Sequence, residues 1–149
     1  MFQRLLVPLD GSATGEASLP YLQVLASHFA AEITLLQVVE PGQHVHTVGG
    51  LGYVIFPEQE MESLKEKAGR YLQHAGSQLA DTMATIKYQV RTGNIAQEII
   101  NSADETNADL VVVSTRRHSG IGYHGSIAQK LLHAGHTPIL VIRSPVIGS

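Results

Sequence analysis

ADLVVVSTRRHSGIGYHGSIAQKLLHAGHTPILVIR, residues Ala108 to Arg143, places a strand, a loop, a helix and a second strand in succession. The apolar run Leu110 to Val113 gives way to a polar, glycine-containing loop from Ser114 to Gly125. An amphipathic segment from Ser126 to His133 follows, then a second apolar run from Ile139 to Ile142. Two buried strands joined by a helical crossover lie parallel, and such crossovers are right-handed in nearly all cases. In an open α/β sheet, the loop leaving a strand's carboxyl end for a helix is where ligands bind. The loop that starts at Ser114 is therefore the first place to look for function.

The same alternation extends back to the N-terminus. Arg4 to Leu9 is a short apolar run ending at Asp10-Gly11-Ser12, a sequence with good turn chemistry. Pro8 belongs at the very end of that strand, because proline cannot donate to a ladder. From Thr14, Leu19, Leu22, Leu25, Ala26 and Phe29 recur at helical steps, and Pro20 makes the helix start near Leu19 or kink there. Glu32 to Val39 is a second strand without clean alternation, as expected of strands covered on both faces. Glu40 to Phe56 is irregular, with Pro41, four glycines, His44, His46 and a Leu51–Phe56 apolar cluster. Pro57-Glu58 suits a helix start, and Met61, Leu64, Ala68, Tyr71, Leu72, Ala75 and Leu79 line one face of that helix. Ile86, Tyr88 and Val90 alternate with polar residues in a third strand, which points to the sheet's edge. Ile95, Ile99, Ile100 and Ala103 carry another helix to about Thr106. The expected fold is a single doubly wound α/β domain over residues 1–149, a five-stranded parallel sheet with helices on both faces.

Composition narrows the function classes. The chain is 149 residues long with a formal net charge of −3, and its Lys and Arg are scattered, so no footprint for nucleic acid is visible. No apolar run approaches the roughly 18 residues that span a bilayer. Met1-Phe2-Gln3-Arg4 enters an apolar run without a small-residue cleavage pattern, so neither a signal peptide nor a membrane partner is expected, and a cytoplasmic location is. With no cysteine, disulfides, thiolate catalysis and cysteine-ligated metals are excluded. Among the eight histidines, His44 and His46 lack an identifiable third ligand, so no metal site is expected. His118 and His124 flank the loop after Val113 and would meet an anion when protonated.

Several segments together resemble the universal stress protein family. They are the N-terminal Leu-Leu-Val-Pro-Leu-Asp-Gly-Ser, the Val90–Ile100 stretch, Ala108–Thr115 and the tail from Gly125-Ser126 through Thr137-Pro138 to Arg143. The resemblance covers essentially the whole chain in order. It implies an adenine-nucleotide-hydrolase-like, Rossmann-like fold and a homodimer formed through the last strand, Pro138 to Arg143. The family is divided in chemistry. Its ATP-binding members carry Gly-x-x-Gly, a nine-residue spacer and Gly-Ser or Gly-Thr. Here Ser114, Thr115, Arg116 and Arg117 stand at the first element, and seven residues separate Arg117 from Gly125-Ser126. The motif is half present. By the same resemblance Asp10 would contact a nucleotide, with Pro8 and Val39 bordering its adenine.

Residue chemistry supports two readings. Gly125 allows close backbone approach, Ser126 and Ile127 open a helix whose N-terminal amides favour anions, and Arg117 offers a fork for phosphate oxygens. On this reading Pro8, Asp10, Val39, Ser114, Thr115, Arg117, Gly125, Ser126 and Ile127 bind ATP or another adenine nucleotide, with Mg as a further candidate. Equally, Arg117 fills the space a glycine leaves, Ser126 is a plain helix cap and Asp10 a turn residue. The chain would then be an interaction module working through its dimer and loop surfaces on protein partners that the sequence does not name. No general base is assigned, so catalysis is limited to slow ATP hydrolysis at most.

Overall fold

The computed structural model describes residues 2–41, 57–116 and 126–144. His44, His46, the Leu51–Phe56 cluster, Arg117, His118, His124 and Gly125 lie outside these residues. Five parallel strands form one sheet in the order β3-β2-β1-β4-β5. They are β1 (Arg4–Pro8), β2 (Glu32–Val39), β3 (Thr85–Thr92), β4 (Leu110–Arg116) and β5 (Ile139–Ser144). The helices are the single-turn α1 (Ala13–Glu16), then α2 (Leu19–His28), α3 (Pro57–Ser77), α4 (Ile95–Glu105) and α5 (Ser126–Ala134).

The two-residue period of a strand sends neighbouring side chains to opposite faces, and both faces of β1 are dry. Leu5 and Val7 join Ile33, Leu35, Leu22, Leu72 and Leu79 in a core under α2 and α3. Leu6 turns the other way to meet Leu36, Val111, Val113, Ile99 and Leu131 beneath α4 and α5. Continuous apolar runs in β1, β2 and β4 thus follow from helices on both sides, as expected. β3 is an edge strand and is largely half-exposed, which explains its alternating pattern.

Prolines and caps set the boundaries. Pro8 is the last residue of β1, and the ladder resumes beyond it where the Leu9 N–H donates to the Leu36 carbonyl at 2.7 Å. Pro20 sits in the first turn of α2, where a missing N–H costs nothing. The helical pattern starting at Thr14 therefore divides into α1 and α2. Asn94 caps α4 by accepting from the Gln97 N–H at 3.0 Å. Arg91 at the sheet edge reaches Glu98 at 2.8 Å and Glu105 at 2.6 Å, fastening β3 to α4. That arginine holds the Glu105 carboxyl below its usual range.

One boundary differs from expectation. β4 runs past Val113 to Arg116, so Ser114 and Thr115 belong to the strand rather than to the loop after it. Ser114, Thr115 and Arg116 pair with Ile142, Arg143 and Ser144 of β5. Ladder bonds are made by the backbone, so a strand can outlast the apolar run that advertises it.

Candidate functional site

The strand order reverses direction between β1 and β4, and the crevice outside their carboxyl ends is the expected ligand position. Asp10 follows β1 at this point. Its Oδ1 accepts from the Ser12 N–H at 2.9 Å and from the Ser12 hydroxyl at 2.5 Å, a local turn of the kind aspartate favours. Gly11, with φ +86°, takes the left-handed conformation that turn requires. Ser12 Oγ in turn accepts from the Gly15 N–H at 3.2 Å, so α1 begins directly on the Asp10 turn. Gly15 makes this contact feasible, because a Cβ there would stand 2.9 Å from Asp10 Oδ1.

From Asp10 a cleft of about 390 Å³ opens towards β2 and α3. That volume lies in the range of roughly 300–1,000 Å³ typical of small-ligand sites. Val38, Val39, Leu64, Ala68 and Ile95 supply apolar walls, and Lys67 and Glu40 bring opposite charges. Gln37 and Tyr71 also line it, and the Gln37 Oε1 and Tyr71 hydroxyl are buried without a partner among the described residues. Burial, followed by the nearby carboxylates of Glu16 and Asp10, pushes the Tyr71 phenol up to about 12. It is therefore neutral and able to donate at neutral pH. A second depression, between α4, α5 and β4, holds about 10 Å³, room for about one water. Among the described residues no group of three His, Asp or Glu side chains is placed to hold a metal ion. No helix among them is long and apolar enough to cross a membrane.

The expected site residues fall into separate positions. Asp10 and Val39 meet in the large cleft. Pro8 is half-buried beside Leu36 in the β1–β2 ladder and does not line the cleft. Ser114 lies across the switch point, where its hydroxyl donates to the Gly15 carbonyl at 3.2 Å. Thr115, next to it, is half-buried and opposite Arg143. Ser126 opens α5, and the Ile127 side chain packs against the core under α4 and α5. Arg117 and Gly125 are outside the described residues. Sequence reasoning missed Gln37, Lys67 and Tyr71. Tyr71 was hidden in the apolar stripe of α3, whereas Gln37 carried a signal as a polar residue deep in an apolar strand.

The relatives agree with this architecture. The model of the universal stress protein family matches residues 1–143. Universal stress protein YxiE of Bacillus subtilis is 29% identical over 96% of this chain and 100% of its own length. The solved structure of the protein MJ0577, a universal stress protein of Methanocaldococcus jannaschii, superposes with a TM-score of 0.79 at 21% identity, covering 97% of this chain and 98% of that one. Two further solved structures hold nucleotides. A universal stress protein in complex with cAMP has a TM-score of 0.65 at 18% identity, covering 95% of this chain and 97% of that chain. A family protein from Arabidopsis thaliana with AMP bound has a TM-score of 0.68 at 14% identity, covering 97% and 93%. With a family match over almost its entire length and the five-stranded order of a doubly wound sheet, this chain belongs to the universal stress protein family.

Proposed function

We propose that the cleft beside Asp10 binds an adenine nucleotide and that the protein is a regulatory binding module rather than a catalyst. The observation that carries this reading is the cleft itself, about 390 Å³ of largely apolar wall opening from a carboxylate at the sheet's switch point. Its apolar sides suit a planar base, and Asp10 Oδ2 has no partner among the described residues and would accept from a ribose hydroxyl. AMP and cAMP in two structural relatives give the nucleotide class its support. ATP, with or without Mg, extends the same reading to a longer phosphate chain running towards α5. The protein would act in the cytoplasm as a homodimer joined along Pro138 to Arg143, since β5 is an edge strand.

Calorimetric titration with AMP, ADP and Mg·ATP tests the proposal. Saturable binding that Asp10→Asn weakens would support it, because asparagine keeps the turn acceptor and removes the charge. Absence of binding at millimolar nucleotide would sink it. The rival reading, an interaction module without nucleotide, is favoured by Ser114. Its side chain stands where the family's ATP-binding members have glycine, and it is engaged with Gly15. That reading expects no heat with any nucleotide and an unchanged dimer.

A further inference from the structure

We infer that Gln37 and Tyr71 form the polar floor of the cleft and select a ligand edge that donates hydrogen bonds. The inference rests on the nucleotide reading above and specifies what that site recognises. Gln37 lies in β2 between Leu36 and Val38, in a strand whose other central residues are almost all apolar. Roughly nine in ten or more buried polar groups find a hydrogen-bond partner inside the protein or in ordered water. Within the protein, Gln37 Oε1 and the Tyr71 hydroxyl find no such partner among the described residues, and both side chains line the same cleft. Two such atoms at one cavity point to a partner that comes with the ligand.

The chemistry of that partner follows from the atoms on offer. Asp10 presents a carboxylate oxygen, Gln37 a carbonyl oxygen and Tyr71 an oxygen that accepts as well as donates. The floor is therefore rich in acceptors and suits an amino or hydroxyl group. An adenine nucleotide has both, the exocyclic amine of the base and the hydroxyls of the sugar. Neither orphaned atom is open to solvent, so the ligand reaches Gln37 through its broad terminal torsion. The phenol oxygen is equally covered, so the Tyr71 side chain must turn towards the cleft for a ligand to reach it.

Calorimetry of AMP, inosine monophosphate and 2′-deoxy-AMP on the intact chain and on Gln37→Met and Tyr71→Phe tests this. Tyr71→Phe removes the phenol oxygen and Gln37→Met the carboxamide, each with little change of shape, and AMP affinity should fall about three- to tenfold, the equivalent of one neutral hydrogen bond. The wild-type chain should prefer AMP to one analogue, and the variants should lose that preference. Loss against inosine monophosphate assigns the donor to the base amine, and loss against 2′-deoxy-AMP assigns it to the sugar. Thermal unfolding without nucleotide should show both variants melting no lower than wild type, since an unpaired buried polar atom has gone. AMP affinity decides the matter. If variants and wild type bind AMP equally, with the same preference, the pair belongs to internal packing and this inference is overturned while the nucleotide reading stands. If wild type binds none of the three, this inference falls, and the nucleotide reading falls with it when ADP and Mg·ATP also fail to bind.

Discussion

The Ser114 hydroxyl donates to the Gly15 carbonyl at 3.2 Å, joining the end of β4 to the single turn of α1 across the switch point. The same carbonyl also accepts from the Ser18 hydroxyl at 3.0 Å. Ser114→Ala therefore removes a bond without leaving the carbonyl orphaned. The expected cost is about 1 kcal/mol, a drop in melting temperature of about 2–4 °C for a chain of this size. A loss several times larger would mean that β4 and α1 separate. Because Ser114 stands outside the large cleft, AMP affinity should fall less than in Asp10→Asn.

Gly15→Ala sets two effects against each other. Alanine favours the helix by about 1 kcal/mol over glycine. Its Cβ, however, would stand 2.9 Å from Asp10 Oδ1, the atom that holds both Ser12 bonds. Relief requires Asp10 to turn or α1 to shift, and two bonds of about 1 kcal/mol each are then weakened. Net stability should change little, whereas nucleotide affinity should drop at least as far as in Asp10→Asn. Unfolding curves and titrations on one preparation check this, and unaltered affinity would refute the link from Gly15 to Asp10.

What could be read in the chain, and what could not, follows from how far each signal reaches. The order of strands and helices was legible because each apolar run or helical stripe is a local pattern, and Pro8 and Pro20 mark boundaries by lacking a donor. The end of β4 was not legible, because Ser114 and Thr115 keep backbone pairing without apolar side chains. Asp10 could be singled out by its place after a buried strand. Gln37 stood out only as a polar residue in an apolar strand, and its relation to Tyr71 exists only once α3 packs over β2, because Tyr71 sits in the same stripe as the buried Leu72 and Ala75.

Alkaline titration gives a separate check on the cleft. The folded-state value of Tyr71 is raised from the ordinary 10.0 to about 12, by burial first and then by the Glu16 and Asp10 carboxylates. A raised value means that the neutral phenol's contribution to stability is fully present below pH 10.0 and is lost as pH rises through about 12. Phenolate absorbance of wild type minus Tyr71→Phe should therefore show one phenol ionising late. A difference curve centred near 10 would place Tyr71 in solvent and remove it from the cleft floor.

β5 is the test of assembly. It closes the sheet on the side opposite β3, with Val141 exposed at 43% and Leu132 of the neighbouring α5 at 62%. An unpaired edge strand with apolar neighbours is a ready template for pairing, and charge on such an edge opposes it. The proposed homodimer along Pro138 to Arg143 would bring two copies of Val141 close together. Val141→Lys places like charges at that position and should shift the chain to monomer in sedimentation equilibrium at micromolar concentration. Val141 is outside the buried core, so the melting temperature of a folded monomer should stay within a few degrees once dimer dissociation is allowed for. A Val141→Lys chain that sediments as a dimer would place the interface elsewhere, and a wild-type chain that sediments as a monomer would remove the dimer from the proposal.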